Sequence, residues 1–87
     1  MDNKILVKLI IPEINDTFDV FLPVNEVVWK IKKMLIKCIE DIDNIYMDDK
    51  KEYQLIKKDN SKIYKNNELI INTDIRNATE IILVSCQ

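Results

Sequence analysis

Two cysteines, Cys38 and Cys86, are the side chains best suited to act as nucleophiles. A catalytic thiol needs a neighbouring base or positive charge that favours the thiolate, and histidine is the usual choice. The chain contains no histidine, so neither thiol has that partner. Cys38 also falls at a helical spacing among apolar residues, where a free cysteine behaves as a small core side chain. These residues predict that the protein is not an enzyme.

The acidic segment at residues 41–52 is the candidate for acid–base chemistry or a metal ion. Adjacent carboxylates such as Asp48 and Asp49 usually point apart, and not across a cleft. Four acidic residues match the first, third, ninth and twelfth positions of an EF-hand calcium loop: Asp41, Asp43, Asp49 and Glu52. However, Ile45 replaces a ligand, and Tyr46 stands where the sharp turn requires glycine. We therefore expect a solvated acidic loop and no metal or other cofactor.

Composition and length narrow the class of protein. The chain has 87 residues, 13 basic and 15 acidic, and its net charge of −2 is too small to indicate a nucleic-acid partner. The absence of glycine removes phosphate-cradling loops. The apolar run at residues 5–11 is too short for a signal segment or a transmembrane helix. We expect a single cytoplasmic domain over residues 1–87 that inserts into no membrane.

Hydrophobic periodicity predicts five strands and one helix. The strands are expected at residues 4–11, 17–22, 52–57, 61–65 and 79–85, where β-branched and alternating apolar residues concentrate. The helix is expected from Asn25, its N-cap, to about Ile42. Because glycine is absent, left-handed turn positions must fall to asparagine and aspartate, with candidates at 15–16, 59–60 and 66–67.

The order strand, strand, helix, strand, short strand, strand is that of the β-grasp. A hairpin needs a cover for its apolar face, and one amphipathic helix supplies it. The connection that contains the helix is long enough to set strands parallel. We therefore predict an α+β fold in which a mixed sheet of four or five strands is covered by one helix.

The chain resembles the ubiquitin superfamily. More narrowly, it is similar to the small ubiquitin-like accessory proteins (the YukD family) of type VII, or WXG100-type, secretion systems of Gram-positive bacteria. The resemblance is carried by the N-terminal hairpin, by Pro23 leading into the helix at Asn25, and by residues 53–68 and 75–84. One departure is Asn77-Ala78, where such folds usually place Asn-Gly or Asp-Gly. The resemblance implies a cytoplasmic accessory or regulatory protein that binds components of the secretion machinery.

Conjugation to targets is a different function found in the same superfamily. Conjugated modifiers and sulfur carriers are activated through a flexible C-terminal Gly-Gly, whereas this sequence ends in Val84, Ser85, Cys86 and Gln87. We therefore expect no conjugation. A modifier or sulfur carrier is one alternative function, and a regulator of RNA or transcription that uses the surface lysines is another.

Trp29 and Ile36 form the first candidate protein-binding site. On a helical wheel they lie on the side of the helix opposite to an apolar stripe, and that stripe is expected to face the sheet. That stripe is predicted to contain Val24, Val27, Val28, Ile31, Met34, Leu35, Cys38 and Ile42, with Ile39 at its edge. An exposed tryptophan is a good anchor for a partner or for a second copy of the chain. Alternatively, the 41–52 segment folds back and buries both residues.

The sheet face away from the helix is the second candidate site. Strand alternation points four apolar residues outward: Phe21, Ile56, Ile82 and Val84. Leu6 and Ile10 could extend this surface, which is less polar than an open sheet face usually is. In ubiquitin the corresponding side of strands three and five carries a hydrophobic binding patch, so the resemblance marks Ile56 and Val84. The alternative is a set of scattered surface hydrophobes, which are common.

Overall fold

The computed structural model describes residues 3–48 and 51–86. Its elements are, in chain order, β1 (Lys4–Ile11), a 3-10 turn (Pro12–Ile14), β2 (Asp16–Pro23), α1 (Val28–Asp43), β3 (Glu52–Lys57), a second 3-10 turn (Ile70–Asn72) and β4 (Glu80–Cys86). The predicted order of elements is confirmed, except that the short strand expected at residues 61–65 is not formed.

In the described part of the chain, four strands form one mixed sheet with the order β2-β1-β4-β3. β1 and β2 pair antiparallel, and so do β3 and β4. At the centre, β1 and β4 run parallel, with Leu9 opposite Ile81. Parallel neighbours require a long connection, which the segment from β2 through α1 and β3 supplies. A mixed sheet under one helix confirms the predicted α+β architecture.

The N-terminus of α1 is capped by a distant part of the chain. Asn25 is not its N-cap, because the helix begins at Val28 and the cap position makes no side-chain hydrogen bond. The first N–H groups of a helix have no partner within it. Here the N–H of Val28 donates to the Glu68 carbonyl at 2.9 Å, and the N–H of Trp29 donates to the Asn66 carbonyl at 3.1 Å. These tertiary contacts, and no local capping residue, decide where the helix starts.

The buried side of α1 is rotated away from the predicted stripe. The buried residues of the helix are Val28, Ile31, Leu35 and Ile39. Three residues predicted to face the core, Met34, Cys38 and Ile42, are exposed. The helix contacts β3, and the Lys32 ammonium group donates to the Tyr53 carbonyl at 2.7 Å. Anchoring on β3 turns the flank that carries Met34 out of the core.

The core lies between α1 and the inner face of the sheet. Its buried residues come from every strand, the helix and the connecting segments: Val7, Leu9, Ile11, Leu22, Val28, Ile31, Leu35, Ile39, Met47, Tyr53, Leu55, Tyr64, Ile70, Ile75, Ile81 and Leu83. The acidic segment contributes Met47, whose N–H donates to the Glu40 carboxylate at 2.9 Å. That bond holds this segment against the helix end of the core.

The strand expected at residues 61–65 is reduced to a single bridge. Ile63 pairs antiparallel with Ile56, and the N–H of Tyr64 donates to the Leu55 carbonyl at 3.0 Å. Just before this bridge, Ser61 has a φ of 61°, which turns the chain and limits the pairing to a few residues. The segment nevertheless lies along the free edge of β3.

Positive φ angles occur at Asn15 and at three positions that were not predicted: Asn44, Ser61 and Ala78. Ala78 has a φ of 73°, where its β-carbon is sterically unfavourable. Two hydrogen bonds to β1 hold this turn in place. The N–H of Ala78 donates to the Leu6 carbonyl at 2.8 Å, and the N–H of Leu6 donates to Oδ1 of Asn77 at 2.9 Å.

Replacing Ala78 by glycine is expected to raise the free energy of unfolding by about 0.5–1 kcal/mol. Glycine removes the steric cost of the left-handed conformation, about 1–2 kcal/mol. This gain exceeds the cost of the extra conformational entropy that glycine gives the unfolded chain, about 0.4–1 kcal/mol. Urea denaturation of both proteins measures the difference. Asn67→Gly, at an exposed position without a positive φ, is the control and should lower stability. A decrease for Ala78→Gly would contradict the steric explanation.

Candidate protein-binding site

The face of the sheet away from α1 carries its side chains in rows that cross the strands. Each residue of β1 lies opposite one residue of β2, and over part of its length also opposite one of β4. Paired residues point to the same face with β-carbons about 5 Å apart. The register therefore decides which outward side chains can act together.

One row consists of isoleucines. Ile10 of β1 is opposite Ile82 of β4, which is in turn opposite Ile56 of β3. Ile63 continues the row through its bridge to Ile56, and it is 51% exposed. Together with the next outward residue of β4, these residues form what we call the isoleucine patch, in which Ile63 is exposed and the other members are half-buried: Ile10, Ile56, Ile63, Ile82 and Val84. Three of the predicted site residues are thus brought together.

Beside the isoleucine patch runs a row of alternating charges. Asp19 of β2 is opposite Lys8 of β1, and Lys8 is opposite Glu80 of β4. Lys58 follows β3 and places its Nζ 4.0 Å from Oε2 of Glu80. We call these residues the charged row, in the order Asp19, Lys8, Glu80, Lys58. Opposite charges at facing strand positions stabilise a sheet by about 0.2–1 kcal/mol each, and here they also divide its surface.

Phe21 lies on the far side of the charged row. It is opposite Leu6 of β1 and is 61% exposed. Lys8 stands between Leu6 and Ile10 on the outward side of β1. Four residues of strand separate Leu6 from Ile10 by about 13 Å. The structure therefore splits the predicted outer surface into two apolar areas, with Phe21 apart from the isoleucine patch.

Trp29 and Ile36 line a groove between α1 and β3 with a volume of about 590 Å³. Trp29 is 43% exposed. The Lys30 and Lys33 ammonium groups lie 5.6 and 5.5 Å from its ring centroid. Contacts of this kind contribute about 0.5–1 kcal/mol each at exposed sites.

Trp29 and Ile36 do not form a single exposed apolar pair. Ile36 is half-buried and packs against the core, whereas the described residues of the 41–52 segment leave Trp29 exposed. Lysines already hold the ring of Trp29, so a partner would meet a mixed, positively charged surface there. The isoleucine patch is the more continuous apolar surface of the two.

The residues considered for chemistry show no assembled site. Cys38 and Cys86 are free and exposed, so the prediction that Cys38 lies in the core is wrong. The rotation of α1 turns its side chain outward. Asp41 and Asp43 belong to α1, and Asp49 and Gln87 lie outside the described residues. Within residues 3–48 and 51–86 no three His, Cys, Asp or Glu side chains are placed to hold a metal ion.

The helix in the described ranges lacks the length and apolar composition that a bilayer span requires.

A polar cluster that the sequence did not reveal holds the loop next to the isoleucine patch. The hydroxyl of Tyr64 donates to Oδ1 of Asp74 at 2.8 Å, and the Lys57 ammonium group donates to Oδ2 at 3.0 Å. Burial, followed by the bond to Asp74, raises the pKa of Tyr64 well above its ordinary value. The bonds from Tyr64 and Lys57 lower the pKa of Asp74. Because Tyr64 adjoins Ile63, the cluster also positions the end of the isoleucine row.

Solved structures show the same arrangement of elements. A chain of the MycP5-free ESX-5 inner membrane complex, State II, matches with a TM-score of 0.81 at 12% identity, over 98% of this chain and 21% of that one. The N-terminal ubiquitin-like domain in the 4931431F19Rik protein matches with a TM-score of 0.69 at 21% identity, over 100% and 79%. The UBL domain of Plasmodium falciparum Dsk2 matches with a TM-score of 0.69 at 22% identity, over 95% and 99%.

This chain has the ubiquitin-like β-grasp fold. The similarity at these identities is one of fold. The present chain spans about a fifth of the length of the ESX-5 neighbour, which it matches over 21%. No protein-family model and no curated protein sequence matches it.

The Tyr64–Asp74 bond predicts a stability that depends on pH at both ends of the range. The ordinary pKa of Asp74, 3.8, is lowered by folding, so this stabilisation is present above 3.8 and is lost as the pH falls through the folded-state value. The pKa of Tyr64 is raised by folding from 10.0, so its stabilisation is lost as the pH rises above 10.0.

Tyr64→Phe is therefore expected to lower the free energy of unfolding by about 1.5–3 kcal/mol at neutral pH, because one hydrogen bond to a carboxylate is removed. The difference in the free energy of unfolding between the variant and the unchanged protein should become smaller in strong acid and in strong base. Urea denaturation across pH measures it. Tyr46→Phe, at an exposed tyrosine, should leave the stability unchanged. If the variant and the unchanged protein differed in stability by the same amount at every pH, the stabilisation would not come from the Tyr64–Asp74 bond.

Trp29→Ala is expected to lower the free energy of unfolding by about 1 kcal/mol, since Trp29 is 43% exposed and does not belong to the buried core. Leu35→Ala, at a fully packed position of the same helix, should cost about 3 kcal/mol. Thermal or urea unfolding of the two variants separates these values. A cost for Trp29→Ala as large as that for Leu35→Ala would show that the indole is part of the core.

Proposed function

We propose that this chain is a non-catalytic ubiquitin-like domain that binds other proteins. In this proposal it acts in the cytoplasm as an accessory or regulatory component of a bacterial type VII secretion system, and it is not conjugated to its targets. The observation that carries the proposal is the isoleucine patch, a row of apolar side chains on the sheet face that α1 leaves uncovered.

The isoleucine patch has the physical properties of a docking surface. Isoleucine is stiff about its first side-chain torsion, so little conformational entropy is lost when a partner covers it. Ile82 and Ile56 are already held in place by strand pairing, and Ile63 is held through its bridge. The adjacent charged row can exclude partners of the wrong charge pattern, which provides specificity.

The secretion context is supported by two observations of different kinds. The ESX-5 inner membrane complex contains a chain of which about a fifth matches the fold of this protein, with a TM-score of 0.81. Independently, residues 53–68 and 75–84 resemble the ubiquitin-like accessory proteins of type VII systems. A gene neighbourhood that encodes small Trp-X-Gly proteins and a membrane ATPase would strengthen this part of the proposal.

Ile63→Asp tests the role of the isoleucine patch. Binding to purified cytosolic segments of the secretion machinery, measured by calorimetry, should weaken by roughly thirtyfold, because a charge would be buried at an apolar contact. Ile63 is half exposed and lies outside the four strands, so its replacement leaves the sheet intact. Ile56→Asp is expected to act in the same direction.

Met34→Asp is the matched control, since Met34 is exposed on the helix and remote from the patch. It should bind as the unchanged protein does. Equal binding by all three variants would disprove the patch as the docking surface. Failure of the unchanged protein to bind any component would disprove the secretion role.

A further inference from the structure

We propose that the outer face of the sheet binds a second copy of this chain, in a symmetric dimer where each charged row lies against the reversed charged row of the other copy. This inference rests on the proposed function, because it names a partner for the same surface. It follows from the order of charges across the sheet.

The charged row is complementary to its own reversal. Its signs are negative at Asp19, positive at Lys8, negative at Glu80 and positive at Lys58. Read from the other end, the signs are positive, negative, positive, negative. Two such rows therefore attract at every position when one is reversed, whereas two rows stacked in the same direction would repel at every position.

A two-fold axis produces this reversal. Homodimers usually have such an axis, and the same surface of each copy then forms the interface. If the axis runs along the strands between β1 and β4, it exchanges the two halves of the face. Lys8 then meets Glu80 of the second copy, and Asp19 meets Lys58 of the second copy. Each contact occurs twice.

The same axis brings the isoleucine rows together. Ile10 of β1 meets Ile82 of the second copy, since these residues are paired on the two strands that flank the axis. Thr17, opposite Ile10 on β2, meets Ile56 of the second copy. Sheets packed face to face lie about 10 Å apart with their strands nearly aligned, which suits side chains of this size. The apolar row thus adds contact area in the register that the charges select.

The size of the face indicates a weak dimer. Four strands spaced by ~4.8 Å and three rows spaced by ~6.7 Å make a flat area of only about 400 Å² for each copy. The two copies together would bury roughly 800 Å², which is below the ~1,200–2,000 Å² of stable specific interfaces and in the range of weak, transient ones. We therefore expect reversible association in the micromolar range, with monomer at low concentration. Exchange between self-association and binding of another protein is then possible at the same surface.

Charge reversal in separate copies tests this geometry. In Lys8→Glu, position 8 and Glu80 of the other copy are both negative, and this repulsion occurs twice. In Glu80→Lys, both positions are positive. Each variant alone should associate at least roughly tenfold more weakly than the unchanged protein, because like charges oppose at the interface. Sedimentation velocity over a range of concentrations measures this association.

A mixture of the two variants should recover association. Position 8 of one variant then carries the charge opposite to that of position 80 in the other, so all the facing pairs in the mixed dimer attract. The double variant with Lys8→Glu and Glu80→Lys should also associate, since its row is again complementary to its reversal. Circular dichroism confirms that each variant is folded before it is compared. Met34→Asp, on the helix, should dimerise like the unchanged protein.

Two results would overturn the dimer. One is an unchanged protein that remains a monomer up to near-millimolar concentration. The other is a dimer that Lys8→Glu and Glu80→Lys leave intact, or that their mixture does not restore. The proposed function would survive either result if Ile63→Asp still weakened binding to the secretion components. Conversely, rescue in the mixture together with no binding of those components would support the dimer and remove the secretion role.

Discussion

The parallel pairing of β1 with β4 is the constraint on which the rest of the structure depends. It joins the first strand of the described chain to the last, and it sets Lys8 opposite Glu80 and Ile10 opposite Ile82. A slip of one residue would exchange the inner and outer faces of a strand. The Asn77–Ala78 turn opposes such a slip, because both of its residues bond to the backbone of Leu6. The composition of the outer face follows from this register.

The segment between β3 and β4 connects the helix to that face. Its carbonyls at Asn66 and Glu68 accept the first N–H groups of α1, and its Ile63 extends the isoleucine row along β3. The segment is held together by the hydrogen bond that the Tyr64 hydroxyl donates to the Asp74 carboxylate, with 2.8 Å between the two oxygens. A segment with little regular structure therefore both sets the start of the helix and completes the candidate binding surface.

Charge and apolar contact have separate roles on the outer face. In the proposed dimer, the isoleucine patch supplies apolar area whose removal from water is favourable, while the charged row selects the orientation in which that area is covered. Phe21 and Leu6 form a second apolar area beyond the charges. A shared fold does not determine function, which depends on the sites that each chain carries. The groove at Trp29 is a different surface, with lysines around its aromatic ring.

The sequence by itself determined four of the five predicted strands, the existence of the helix and the outward direction of Phe21, Ile56, Ile82 and Val84. Alternation along a strand is a local property, so a single strand carries that information. Only the tertiary structure decided which outward residues meet: Ile56 faces Ile82, whereas Lys8 separates Phe21 from both. The tertiary structure also decided where α1 starts and that Cys38 is exposed. Register, helix rotation and tertiary capping arise from contacts between distant segments, and no local pattern contains them.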